Sequence, residues 1–237
     1  MVRNIKLDNL RGIAFILMII HHIFYFYDLK KSTKYADSQI IEIIGLVSRY
    51  LFILLVGYSL VYLYKNNKKN FINNRIKKSI EILFHAAIIT LITYYYYPNN
   101  FIRFGILHFI GLVTLIFAFI IPLISVESGL LSTNLLYFLL LIFIILDYTN
   151  FPSINTFIDT LLGNKFHYNM IDYFPIIKWT PIILIGMILK SSNFELESLL
   201  NFDIMNNNNI LTFLGQNSLN LYTMHIIVII LFYNYLF

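Results

Sequence analysis

Seven long apolar runs alternate with short polar stretches along the chain, at 9–27, 40–64, 80–97, 104–125, 131–148, 173–190 and 211–236. A helix needs roughly 20 mostly apolar residues to cross a bilayer. The pattern therefore predicts an all-α, polytopic transmembrane bundle of about seven spans, folded as one domain over 1–237. No internal repeat and no linker interrupts it. Arg3, Lys6 and Arg11 precede the first run as in a secretory signal, but His21 and His22 stand where a small-residue cleavage site belongs. The segment is read as a retained first span.

Charge turns the pattern into a topology. Lys65, Lys68, Lys69, Arg75, Lys77 and Lys78 cluster after the second run, on the same side as the basic N-terminus if the first two spans form a hairpin. Positive residues mark the cytosolic side. The N-terminus and the 191–210 loop are then cytosolic, and the 149–172 segment and the C-terminus lie outside. Composition agrees: 59% of the 237 residues are hydrophobic and 12% charged, about half the charged share of a soluble domain. The net charge of +5 follows from topology and not from nucleic-acid binding, since no recognisable module carries it. There are no cysteines, which excludes a thiolate nucleophile and a cysteine-ligated metal. No metal site is expected.

Polar residues within the runs are the informative ones, because ionisable groups there are costly and face the bundle interior. Asp8, Arg11, Phe15, Met18 and His22 step by three and four residues and share one helix face. Arg11 and His22 are separated by roughly 16 Å along the axis, a cation near the inner end and a titratable base near the outer one. His21 points about 100° away. The bland reading of this stripe is an Asp8–Arg11 ion pair and a histidine in an interhelical hydrogen bond. His108, Gly111, Thr114 or Leu115, and Ala118 form a narrow small-residue stripe that lets a neighbouring helix approach. Asp172 and Trp179 share a face at the entry to the sixth run, with Pro175 in a first helical turn. Ser218, Tyr222 and His225 share a face in the last run, with Asn217 as the expected partner of His225. Glu42 is the expected partner of Arg49, and His85 reads as structural.

Read together, these motifs resemble a known family. L-D-N-L-R-G-I-A-F-I-L-M-I-I followed by His22, F-I-R-F-G-I-L-H-F-I-G-L, D-Y-F-P-I-I-K-W and G-Q-N-S-L-N-L-Y-T-M-H are similar, in order, to motifs of the heparan-α-glucosaminide N-acetyltransferase catalytic domain family. F-I-L-L-V-G-Y-S and R-I-K-K add quieter matches. The arginine-then-histidine spacing also resembles the signature of the wider transmembrane acyltransferase superfamily. Lys178 stands where the family usually has proline. The resemblance implies transfer of an acetyl group from cytosolic acetyl-CoA to a glycan or amino-sugar acceptor. The lipid bilayer is a further partner by composition, and the oligomeric state, a homodimer or not, stays open. The resemblance also implies His22, Arg11 and His108 as catalytic residues, Arg11 and Asp8 on the acetyl-CoA side, and Asp172, Trp179, Asn217, Tyr222 and His225 on the acceptor side. Arg11 and the basic 65–78 segment would offer cations to the donor phosphates. A small-solute transporter is the competing reading. It calls for internal repeats and paired helices broken by Gly or Pro, and neither pattern is present. A seven-span receptor or scaffold leaves the aligned polar residues without a purpose.

Overall fold

The structure is a computed structural model that describes residues 4–125, 132–149, 152–163, 170–196 and 209–235. Among these residues there are nine helices and no strand: α1 Ile5–Lys31, α2 Gln39–Asn66, α3 Phe71–Tyr96, α4 Ile106–Ile124, α5 Thr133–Tyr148, α6 Thr156–Leu162, α7 Ile176–Ser191, α8 Asn209–Gln216 and α9 Ser218–Tyr235. Four of them, α1, α2, α4 and α9, are long and apolar enough to cross a membrane, and α5 is a shorter apolar helix. Their large exposed side chains, such as Ile23 and Phe24 of α1, Ile43 and Val47 of α2, and Val228 and Phe232 of α9, face the surroundings as lipid-solvated residues do. The protein is membrane-embedded.

The chain divides into two compact units, residues 1–52 with 196–237 and residues 53–195; the division falls within α2. In the first unit, α1 starts where the Asn4 side chain accepts the Lys6 and Leu7 N–H groups at 3.1 and 3.2 Å, an N-cap supplying donors the helix cannot pair itself. It ends at Ser32 in the left-handed region, φ 54°. Asp28 ties down the following turn by accepting the Thr33 hydroxyl and the Ala36 N–H.

α1 packs on α8 and α9. Contact with α8 is backbone to backbone. A Cβ on Gly215 would lie 1.7 Å from the Asp8 carbonyl oxygen, and one on Gly12 would lie 2.4 Å from that of Leu211. Asn9 Oδ1 accepts the Thr212 hydroxyl at 2.6 Å. The order of these contacts corrects an expectation. Along α8 they step towards the N-terminus of α1, Leu211 to Gly12 and then Gly215 to Asp8. Along α9 they step the other way, His225 to His22 and then Asn234 to Lys30. The run at 211–236 is thus two helices turned sharply at Asn217, whose side-chain amide bonds back to the Phe213 carbonyl at 2.9 Å. Apolar periodicity alone does not register a turn whose polar residues satisfy their own backbone.

In the second unit, α3 packs on α4, and α5, α6 and α4 pack on α7. The small-residue stripe of α4 does what its spacing predicts: Gly111 leaves room for Leu83 of α3, 2.8 Å from a hypothetical Cβ, and its carbonyl accepts the Ser79 hydroxyl at 2.7 Å. The part of α2 in this unit meets α7 through two glycines. A Cβ on Gly57 would lie 2.0 Å from Ile183 O, and one on Gly186 would lie 2.1 Å from Leu54 O. α3 begins at Phe71, earlier than the run at 80–97, so Arg75, Lys77 and Lys78 are helical and only 67–70 remain as loop. The segment expected as the 149–172 loop contains α6. Most of the expected 191–210 loop lies outside the described residues.

Candidate functional site

In the first unit, the C-terminal half of α1 meets the middle of α9. His22 Nδ1 lies 2.9 Å from His225 Nε2, the two rings stacked at 5.2 Å and 6°. His225 Nδ1 lies 3.1 Å from the Leu221 carbonyl oxygen. A carbonyl only accepts, so His225 carries its proton on Nδ1. With both rings neutral, His225 Nε2 is then an acceptor, His22 Nδ1–H is its donor, and the lone pair of His22 resides on Nε2. Aromatic side chains fix both rings edge-on: Phe15 at 5.4 Å and Tyr222 at 5.2 Å from His225, and Phe26 at 6.2 Å from His22.

The face predicted for α1 is realised. Asp8, Phe15 and Met18 are buried, and Arg11 Nη1 meets Asp8 Oδ1 at 2.7 Å. His21 leaves the stripe as expected. Its ring fills the space that Gly45 of α2 keeps open, 2.3 Å from a hypothetical Cβ, and stacks on Tyr25 at 6.0 Å. Arg49 lies within electrostatic reach of both His21 and His22, and its Nε donates to the Gly45 carbonyl at 3.1 Å. Glu42, expected to pair with Arg49, does not; it is exposed. Asn217 is not the partner of His225 either, because its amide is spent on Phe213.

His108, Asp172 and Trp179 lie in the second unit. His108 Nδ1 accepts the Gly105 N–H at 3.3 Å, and Asp172 Oδ2 accepts that of Ile106 at 3.1 Å. Two side chains therefore cover consecutive N–H groups at the start of α4, which a helix leaves unpaired. With Nδ1 accepting, His108 donates from Nε2 to Thr90 Oγ1 at 3.2 Å, and Thr90 donates to the Ile102 carbonyl at 2.8 Å. Asp172 is held there because Phe174 N–H bonds to the Phe104 carbonyl at 3.0 Å and Ile171 N–H to that of Asn100 at 2.9 Å. Trp179 is buried against Phe174, rings 4.6 Å apart. Tyr173 donates to the Thr160 carbonyl at 2.7 Å, and burial pushes its phenol up to about 12. Pro175 sits one residue before α7 and not inside its first turn. Among the described residues, no three His, Asp or Glu side chains come together as metal ligands.

A paired histidine, an arginine-bearing first helix and a capped fourth helix now stand where the four motifs fall. The family model described as heparan-alpha-glucosaminide N-acetyltransferase, catalytic, matches residues 3–227. The chain belongs to this family. The match takes in all four motifs and reaches past His225. No curated protein and no solved structure matches the chain. Membership makes the protein a membrane acetyltransferase by family, which is the coarse frame for the geometry above.

The sequence supplied no signal for the partner of His22, 203 positions away. Thr90 and Gly45 escaped it too. The available hint was that Gly45 precedes Arg49 by one helical turn, which places a small residue and a cation on one face.

Proposed function

We propose that the protein transfers an acetyl group from cytosolic acetyl-CoA to the amine or hydroxyl of a sugar, with His22 Nε2 as the reacting base. The observation that carries this reading is the relay from His22 Nδ1 through His225 to the Leu221 carbonyl. It places a lone pair on His22 Nε2 without needing any other group. That nitrogen takes the acceptor's proton as the acceptor attacks the acyl carbon, the thioester C–S bond breaks and the leaving coenzyme A thiolate takes up that proton. Alternatively it attacks the acyl carbon itself, expels the thiolate and then passes the acetyl group to the acceptor, whose proton goes to the thiolate; both roles use the same lone pair. Arg11, held by Asp8, would offer a cation to the donor's phosphates. Tyr222, Asn217, Asp172 and Trp179 stay on the acceptor side on the strength of the motif resemblance. We place His108 there as a positioning residue, since both its ring nitrogens are engaged by neighbours.

The proposed topology has about seven spans in one acyltransferase domain, the N-terminus in the cytosol and the C-terminus outside. Because the chain has no cysteine, single cysteines report sidedness directly: Lys69→Cys is to label from the cytosolic face and Ser153→Cys from the opposite one. The catalytic test is acetyl transfer from labelled acetyl-CoA to glucosamine by purified protein. His22→Ala and His22→Gln are expected to lose about 10²–10⁴-fold in rate, and His21→Ala to keep most of it. Normal transfer by folded His22→Ala protein overturns the assignment.

A further inference from the structure

The ends of α2 and α7 carry a second polar cluster, with no part in the histidine relay. Lys65, in the last turn of α2, donates to the Lys190 carbonyl and to Asn193 Oδ1, both at 3.1 Å. Lys190, in the last turn of α7, donates to the Tyr58 hydroxyl at 3.1 Å and lies 4.9 and 5.4 Å from the ring centroids of Tyr58 and Tyr62. Tyr58 is fully buried and passes its own proton to the Phe194 carbonyl. The two ammonium groups are within electrostatic reach of each other, and among the described residues neither meets a carboxylate.

Helix capping explains only part of this. Each helix C-terminus carries roughly half a negative charge, so two of them offset about one of the two full positive charges. A residual charge near +1 is left in a half-buried position. The donors tell the same story. An ammonium has three N–H groups; Lys65 spends two and Lys190 one on the bonds above. Among the described residues the other donors of both ammonium groups have no hydrogen bond, at the C-terminal ends of two packed helices.

We propose that Lys65 and Lys190 bind a phosphate ester, seated against the Tyr58 and Tyr62 end of the α2–α7 pair. A phosphodiester, or one phosphate of a diphosphate, carries the single negative charge that the residual positive charge calls for. Two sources have this chemistry: the headgroup of an anionic phospholipid and the diphosphate of a coenzyme A derivative. Basic pockets between membrane helices hold the first. Only the coenzyme source rests on the acetyltransferase reading.

The test reads binding at the lysines themselves and measures no acetyl transfer, so failure of the His22 assignment leaves it intact. Full-length protein in phosphatidylcholine nanodiscs is treated with an amine-acylating reagent, and labelling of Lys65 and Lys190 is compared with that of exposed Lys178 by peptide mass spectrometry. The probes are coenzyme A added to the solution and phosphatidylglycerol added to the disc. Protection of both lysines by coenzyme A alone identifies the coenzyme as the source, and protection by phosphatidylglycerol alone identifies the lipid. Protection by either supports the proposal; by neither, overturns it. Lys65→Gln and Lys190→Gln are each expected to weaken binding of the protecting probe about fivefold, while Lys190→Arg retains it. Folded glutamine variants that bind as wild type overturn the assignment. Where these variants do not fold, the labelling of wild-type protein decides.

Discussion

Replacing His225 with phenylalanine isolates the relay from the packing around it. The new ring still fills the space between Phe15 and Tyr222 and stacks on His22, so the junction of α1 with α9 keeps its shape. What disappears is the acceptor 2.9 Å from His22 Nδ1. His22 Nδ1–H is then left without its acceptor in a part-buried position, at a cost of about 1–3 kcal/mol. Nothing then holds the proton on that nitrogen, and the ring escapes the penalty by moving the proton to Nε2, where it blocks the base. If the whole cost falls on the reacting tautomer, the rate constant drops about 5–150-fold, since 1.36 kcal/mol is a factor of ten. The assay is thiol release from acetyl-CoA with glucosamine as acceptor, fitted separately for kcat and KM. The drop is expected in kcat, with the KM for acetyl-CoA nearly unchanged. His225→Gln should recover much of the rate, because its amide oxygen can stand near the lost acceptor. A folded His225→Phe protein with wild-type kcat refutes the relay.

Three further outcomes follow from other parts of the structure. Arg11→Ala removes the cation beside the fully buried Asp8 carboxylate, whereas Asp8→Asn removes a charge beside a partly exposed guanidinium; thermal melts should show the first as the more damaging, with the second costing about 1–2 kcal/mol. Gly215→Ala and Gly186→Ala each drive a methyl into a backbone carbonyl of the facing helix and should lower stability by about 1–3 kcal/mol, while Gly163→Ala tests a different effect, strain at φ 95°. Tyr173 ionises at about 12 when folded and near 10 when unfolded, so its neutral form favours the folded state below pH 10 and that contribution is lost as pH rises through 12. Alkaline melts of Tyr173→Phe should fall less steeply over that window than those of wild type, and equal slopes would contradict it.

What the sequence made legible was whatever a single helix decides for itself. The Asp8–Arg11–Phe15–Met18–His22 face could be read from spacing alone, as could the departure of His21 from it and the close approach of a helix at Gly111. Residues that depend on which helices meet could not be read. Asn217 was a reasonable partner for His225 by proximity in the chain, yet the Asn217 amide turns back on its own helix and the partner arrives from α1. Arg49 was matched to Glu42 on its own helix because the histidines it lies near belong to another helix. The span at 211–236 looked continuous because α8 carries enough apolar residues to read on into α9; the direction in which each contacts α1 separates them.

That bend also explains how one helix pair can hold both an ion pair and a histidine relay. Inside a bilayer, polar side chains must find partners within the protein, and helices lacking a hydrophobic drive towards one another associate where small residues let backbones touch. Gly12 and Gly215 bring α8 onto the N-terminal end of α1, where Asp8 and Arg11 pair and Asn9 meets Thr212. Had α8 and α9 been one straight helix, its contacts with α1 would have stepped in a single direction. Anchoring at Gly215 beside Asp8 would then have carried residue 225 along with the α8 trend, away from the C-terminal half of α1. The turn at Asn217 reverses the direction, so His225 returns to α1 beside His22, ten residues beyond Gly12 and ten beyond Gly215. Glycine contact at one end and histidine contact at the other are therefore coupled through the same bend. Straightening it with Asn217→Leu should separate His22 from His225 while sparing the Asp8–Arg11 pair, a loss of the relay without a loss of the anchor.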